Sequence, residues 1–243
     1  MNIALLADIH GNYPALEAVL EDIRRQRPDR ILVLGDLVFK GPQPERCVDA
    51  VRSLNTVVLQ GNIDELVGKA YIQPGFAKSP EQEEKLRREL QWTRSRLNAD
   101  QLNYLAGLPF QHTEPLGGGL QLHCVHANPY NLLDIYQPAD EEDKLRRMFA
   151  GTNAQIVAYA HIHLPFVRYF RGRALLNTGS TGLPFDGDPR ASYALLRTSG
   201  DHYEISIRRV RYDVERTVRA YEGSGHPFAD SVIQALRTGS RPA

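Results

Sequence analysis

Ile3-Ala4-Leu5-Leu6-Ala7-Asp8-Ile9-His10-Gly11-Asn12 is the stretch that decides the fold. Its apolar half reads as a buried β-strand, and its polar half sets a carboxylate and an imidazole two residues apart. Side chains alternate with period two along an extended segment, so Asp8 and His10 are expected on one side, able to grip one ion together. Gly11-Asn12-Tyr13-Pro14 then breaks the strand and opens a helix. The pair is therefore expected at the C-terminal edge of a first strand, where open α/β sheets bind their ligands.

The same punctuation recurs twice. Pro14 to Gln26 carries Leu16, Val19, Leu20 and Ile23 at helical spacing, with Pro14 in the first turn, where its missing N–H costs nothing. Ile31-Leu32-Val33-Leu34 runs into Gly35-Asp36, as a strand buried on both faces would. A helix opened by Pro44 and carrying Cys47, Val48, Val51 and Leu54 follows, and Thr56-Val57-Val58-Leu59 then runs into Gly61-Asn62-Ile63-Asp64. Three strand–helix units with right-handed crossovers make a parallel sheet whose C-terminal edges lie side by side. Asp8, His10, Asp36 and Asn62 are expected to converge there. Singly, each reads as a helix cap or turn residue; together they point to a ligand-binding edge.

Between residues 66 and 110 the strand rhythm stops. Ser79-Pro80-Glu81-Gln82 is a capping box that opens a helix carrying Leu86, Leu90 and Leu97, and Asn98-Ala99-Asp100-Gln101 opens another. We read residues 66–110 as a helical insertion within a single domain spanning 1–243. Packing on the flank of the sheet is its expected use, with a lid beside the site as the alternative.

Strands resume near Phe110, where Gly117-Gly118-Gly119 marks a hairpin turn and Leu120 to His126 the returning strand. His126 stands at that strand's end; His123, three residues earlier, falls on the opposite face and is expected to be structural. Asp140 to Phe149 reads as helical, and the buried strand Gln155 to Ala160 runs into His161-Ile162-His163. These two imidazoles complete a mixed nitrogen and oxygen donor set sufficient for two ions. Phe166 to Asn177 reads as a hairpin around Arg171-Gly172-Arg173, and Ala191 to Val210 as two strands around Ser199-Gly200-Asp201. They suggest a mostly antiparallel second sheet facing the first, giving a β-sandwich flanked by helices. Helices are expected over Val214 to Tyr221 and Pro227 to Leu236, and a frayed tail over Gly239 to Ala243.

Composition narrows the partners. Lys plus Arg number 29, as do Asp plus Glu, so no global field favours nucleic acid or an anionic membrane. Cys47 and Cys124 lie far apart without CxxC spacing, which reads as two buried thiols and argues against a disulfide framework or zinc ribbon. No apolar run approaches the roughly 20 residues of a membrane span, and Met1 leads directly into a strand, so a cytoplasmic location is expected. The oligomeric state is not encoded in any of these features.

Asp8-Ile9-His10, Gly35-Asp36, Gly61-Asn62, His126 and Ala160-His161-Ile162-His163 resemble, in order, the motifs of the calcineurin-like metallophosphoesterase superfamily. The resemblance extends through Asn177-Thr178-Gly179-Ser180 and Asp186 to Tyr193 toward its small bacterial and archaeal phosphodiesterase branch. It implies an α/β fold, a four-layer αββα sandwich of two facing mixed sheets. It also implies a dinuclear centre: Asp8, His10 and His163 on one metal, Asn62, His126 and His161 on the other, and Asp36 bridging. Asp36, Asn62 and His126 would be catalytic, and Asn12 a contact for a small phosphoester substrate. Imidazole and carboxylate donors suit two transition metal ions, Mn²⁺ first, with Fe, Zn²⁺ or Ni²⁺ as alternatives. Two such ions clamp a phosphoryl group and make a shared hydroxide available for in-line attack.

Two positions depart from the pattern. Ile63 stands where many members carry a histidine that protonates the leaving group, a contribution worth about 10²–10⁴-fold. Asp64 and His123 are the candidates to replace it. Ala160 stands for a glycine, which matters only if that backbone takes positive φ. A phosphodiesterase is the leading reading. Protein Ser/Thr phosphatase, dinucleoside-polyphosphate hydrolase and a catalytically decayed metal-binding scaffold are the alternatives. Arg168, Arg171, Arg173 and Arg190 are candidates for a remote substrate group, with a solvated surface as their ordinary fate.

Overall fold

The computed structural model describes residues 1–241. Its first unit is β1 (Asn2–Leu6), α1 (Tyr13–Gln26), β2 (Arg30–Val33), α2 (Pro44–Ser53) and β3 (Val57–Val58), with β1–β2 and β2–β3 paired in parallel. Three helices follow, α3 (Asn62–Lys69), α4 (Pro80–Ser95) and α5 (Ala99–Ala106). Next come β4 (Gln111–Gly117), β5 (Leu120–Val125), α6 (Glu142–Arg146) with a 3-10 turn to Phe149, β6 (Ile156–Tyr159), β7 (Phe166–Phe170) and β8 (Arg173–Asn177). The chain continues with β9 (Ala191–Ser199), β10 (His202–Val210), α7 (Val214–Tyr221) and α8 (Ala229–Thr238).

Two five-stranded mixed sheets result, ordered β10-β9-β1-β2-β3 and β4-β5-β6-β8-β7. The period-two alternation of β1 explains the layering. Ile3 and Leu5 join Leu122, Ile156, Ala158 and Leu176 of the other sheet in a core between the sheets, while Ala4 and Leu6 face α1 and α2. Val125, Val157 and Leu175 turn the other way, onto Leu145, Met148 and Phe149. Helix, sheet, sheet and helix thus form four layers. Leu90, Leu97 and Leu105 of the 66–110 segment belong to the same apolar cluster as α1 and α2, so these helices extend the outer layer over the first sheet.

The hairpin of β9 and β10 corrects one expectation. It joins the first sheet, with β9 antiparallel beside β1 at Ala4↔Leu195, and the second sheet is mixed, with β5–β6 and β6–β8 parallel. The run Ala191 to Leu196 is buried on both faces, which suits an interior strand. The local pattern reveals a hairpin, and the choice of sheet depends on a partner nearly 200 residues away. The expected tail begins as a cap: Gly239 ends α8 at positive φ and accepts the Gly187 N–H at 2.9 Å. Pro242 and Ala243 of that tail lie outside the described residues. Both cysteines are buried free thiols. Among the described residues no helix is long and apolar enough to cross a membrane.

Candidate metal centre

The seven expected donors come together at the C-terminal ends of β1, β2, β5 and β6 and the start of α3. Asp8, His10 and His163 form one compact group and Asp36, His126 and His161 another, each with donor atoms within 4.8 Å of one another. Asn62 belongs to the second, its Oδ1 3.0 Å from both His126 Nε2 and His161 Nδ1. Asp36 Oδ2 stands at the junction, 3.4 Å from His126 Nε2 and 3.8 Å from His10 Nε2.

The way Asp8 and His10 are brought together differs from strand alternation. β1 ends at Leu6, and Asp8 and His10 take φ of 52° and 49°. Asp36, His161 and His163 are also left-handed, at 56°, 67° and 60°. Such φ costs a non-glycine residue about 1–2 kcal/mol, and neighbouring backbone offsets it. Ile9 and His10 donate their N–H groups to Asp36 O at 2.8 and 3.0 Å, and His161 N donates to Asp8 Oδ2 at 3.1 Å. The small-residue loop after β8 closes over Asp8: Ser180 Oγ and Gly182 N both donate to its carbonyl. Ala160 is not among the positive-φ residues, so its methyl group is accommodated.

The tautomers are set from behind. His126 Nδ1 donates to Leu34 O at 2.7 Å and His163 Nδ1 to Leu183 O at 2.5 Å, which turns each Nε2 toward the site. Phe185 stacks on the His163 ring, centroids 4.4 Å apart. Burial alone would raise the Asp36 carboxyl, yet the His126 and His10 imidazoles hold it well below the usual range. Burial likewise opposes charge on His126, but the Asp36 carboxylate lifts it to about 9. Burial pushes His10 and His163 down, and His161 to about 4, which keeps these rings neutral and able to coordinate.

The residues fit metal ions. Asp8 Oδ1 is fully buried and has no hydrogen-bond partner among the described residues, and His163 Nε2 lies 3.7 Å away. His10 Nε2 and His163 Nε2 face each other at 3.0 Å. Adjacent donors held about 2.1 Å from one cation at a right angle lie about 3 Å apart. Each group can therefore hold one divalent cation.

Other expected residues have different employment. Asn12 caps α1 through Ala15 N and accepts from Thr217 Oγ1, while its amide donates to Gly182 O and Tyr212 Oη. The expected substrate contact is thus committed to protein partners. Ile63 is buried in the apolar cluster around α1, and its N–H donates to Asp36 Oδ1 at 2.9 Å. Neither candidate replacement acid is free: Asp64 accepts three backbone N–H groups, and His123 pairs with Thr113 Oγ1. Arg168 and Arg173 grip backbone carbonyls, and Arg171 and Arg190 pair with Glu142 and Asp188. Asp64, Ser180 and Phe185 are supporting residues whose roles the sequence reading did not anticipate.

Facing sheets with two metal-ready donor groups at their strand ends define a calcineurin-like phosphoesterase. A family model described as calcineurin-like phosphoesterase superfamily domain matches residues 1–201, and the chain belongs to that superfamily. An uncharacterized protein of Methanocaldococcus jannaschii is 30% identical over 241 residues, covering 90% of each chain. The crystal structure of a metallophosphoesterase from Sphaerobacter thermophilus matches with a TM-score of 0.79 at 29% identity, over 98% of this chain and 100% of that one. A hypothetical protein of Pyrococcus horikoshii shares the fold with a TM-score of 0.83 at 23% identity, over 99% of each chain.

Proposed function

We propose that this chain is a dinuclear metal-dependent phosphodiesterase acting on a small phosphoester. The observation that carries the reading is Asp36, one carboxylate within reach of both donor groups. In this reading Asp8, His10 and His163 hold one cation, Asn62, His126 and His161 the other, and Asp36 both. Two divalent cations, when bound, supply charge to hold a phosphoryl group and lower the pKa of a water. Four imidazoles among the donors favour Mn²⁺, Fe, Zn²⁺ or Ni²⁺ over Mg²⁺, and we assign Mn²⁺ first.

The protein's own part is placement. Asn62 presents its amide oxygen to the donor cluster and keeps an N–H for a phosphate oxygen. Ile63 offers no proton, which favours esters whose leaving group departs as an anion, such as aryl phosphodiesters. The test strips the protein with chelator, restores Mn²⁺ and follows aryl phosphodiester hydrolysis in wild type and Asp36→Ala. Turnover should vanish and return with the metal, and Asp36→Ala should lose both metals and all turnover. Metal-independent hydrolysis sinks the proposal. Two bound metals with no turnover on mono-, di- or anhydride esters would favour the scaffold, for which Ile63 is the supporting feature.

A further inference from the structure

The loop between β2 and α2 carries Asp36 and presses on the His10–Gly11 segment. Gly11 N donates to Leu37 O at 2.9 Å, and Gln43 N donates to Gly11 O at 3.0 Å. The approach is close enough that a Cβ on Gly41 would lie 2.1 Å from His10 O. Within the loop Phe39 and Lys40 hold successive φ values of 75° and 66°. Bulky residues take that conformation only where their surroundings impose it.

The imposing contacts come from two distant helices and the turn that follows the second. Glu89 of α4, only 2% exposed, accepts the Lys40 backbone N–H at 3.1 Å and the Lys40 ammonium at 2.6 Å. Tyr221 of α7 donates its hydroxyl to Lys40 O at 2.6 Å. His226 Nε2 stands 3.5 Å from Glu89 Oε1, with its ring against Trp92 and Tyr221. A buried carboxylate is costly unless paired and hydrogen-bonded. Here every partner of Glu89 is either Lys40 or a group packed behind it. Tyr221 and His226 lie beyond residue 201, where the family match ends.

We propose that Glu89 is a positioning residue. By holding Lys40 left-handed it fixes the loop against His10–Gly11, and so sets the cation affinity of the Asp8, His10 and His163 group more than that of the other. The preference follows from contact: Gly41 abuts His10 and Gly11, whereas Asn62, His126 and His161 stand on other segments, and Asp36, the loop's own donor, is held separately by Asp64 and the Ile63 N–H. The inference rests on the metal-binding reading above.

The test titrates metal-free wild type, Glu89→Ala and the Glu89→Ala/Lys40→Gly double variant with Mn²⁺ by calorimetry. In Glu89→Ala one of the two binding steps should weaken about tenfold while the other holds, the size expected for a supporting partner of a metal site. Glycine takes positive φ without strain, so Lys40→Gly should restore the weakened step. Amide hydrogen exchange at Gly11 and Gln43, read without metal, should quicken in Glu89→Ala and slow again in the double variant. Equal weakening of both steps, or a defect that Lys40→Gly leaves untouched, overturns the proposal. If wild type takes up no Mn²⁺, the metal-binding reading fails and the affinity claim falls with it, while the exchange data still decide whether Glu89 holds the loop. Should Glu89→Ala not fold, Glu89→Gln with and without Lys40→Gly is read by the same two measurements and the same outcomes.

Discussion

The Asp64 carboxylate accepts the backbone N–H of Asp36 at 2.7 Å, so a residue outside the donor set fixes the one at its junction. It also accepts from Leu37 N at 2.9 Å and Gly61 N at 3.0 Å, tying the end of β2 to the turn before α3. Space enforces the same closeness: a Cβ on Gly61 would lie 2.0 Å from Asp36 Oδ1. The strand ends are thus locked to one another before any cation arrives.

Asp64→Asn should loosen that lock. An amide offers one accepting oxygen and turns a donor toward N–H groups that need an acceptor. Leaving such buried donors unmet costs about 1–3 kcal/mol, readable as a lower urea midpoint of the metal-free protein. Mn²⁺ affinity should fall about tenfold, as for other partners that orient metal ligands. A wild-type midpoint together with wild-type affinity would show that the tether is dispensable.

The convergence was legible because each parallel strand ends in a polar residue, and parallel neighbours align their ends. The mechanism of convergence was not. Asp8 and His10 meet through two left-handed residues, and φ values of that kind arise from contacts with Asp36 O that no local pattern encodes. The sheet joined by β9 was hidden for the same reason, since its register with β1 is long-range. Ile63 was visible as a missing imidazole; that it is a core residue at the site's edge required the packing.

The burial of Ile63 sets an expectation for reactivity. In the proposed phosphodiesterase, with Ile63 in place of a proton-donating side chain and with Asp64 and His123 engaged elsewhere, the leaving group would depart with little protonation. Across a series of aryl phosphodiesters, log kcat/KM should fall steeply as leaving-group pKa rises, and alkyl diesters should lag far behind. A flat plot would mean that a general acid operates after all.

Arg168 and Arg173 offer a contrast. Arg168 donates to Pro138 O and Asp140 O, and Arg173 to Thr152 O and Ala154 O, stapling the loops on either side of α6. Truncating either to alanine leaves part-buried carbonyls without their donor and removes packing from its stem. We expect a stability loss of about 1–2 kcal/mol per variant in urea unfolding, with KM for an aryl diester unchanged. A raised KM in a well-folded variant would instead place that guanidinium at the substrate.

Asp22, which joins α1 to β9 and β10, should contribute to the acid sensitivity of the fold. Its carboxylate accepts from Arg208 Nε at 2.7 Å and from the Tyr193 hydroxyl at 2.7 Å. The Arg208 hydrogen bond is the chief cause holding its pKa below the ordinary value, outweighing burial. A folded-state pKa below the unfolded value of about 3.9 means that the stabilisation is complete above that pH. It is lost as pH falls through the lower, folded value, where Asp22 takes up its proton. Other carboxylates titrate in the same range, so the diagnostic is a difference. Asp22→Asn should unfold at lower urea than wild type near neutrality, and the gap should close as the pH is lowered below about 4, because the protonated wild type then resembles the amide. A gap that stays constant across this window would show that the Asp22 charge contributes nothing to the junction.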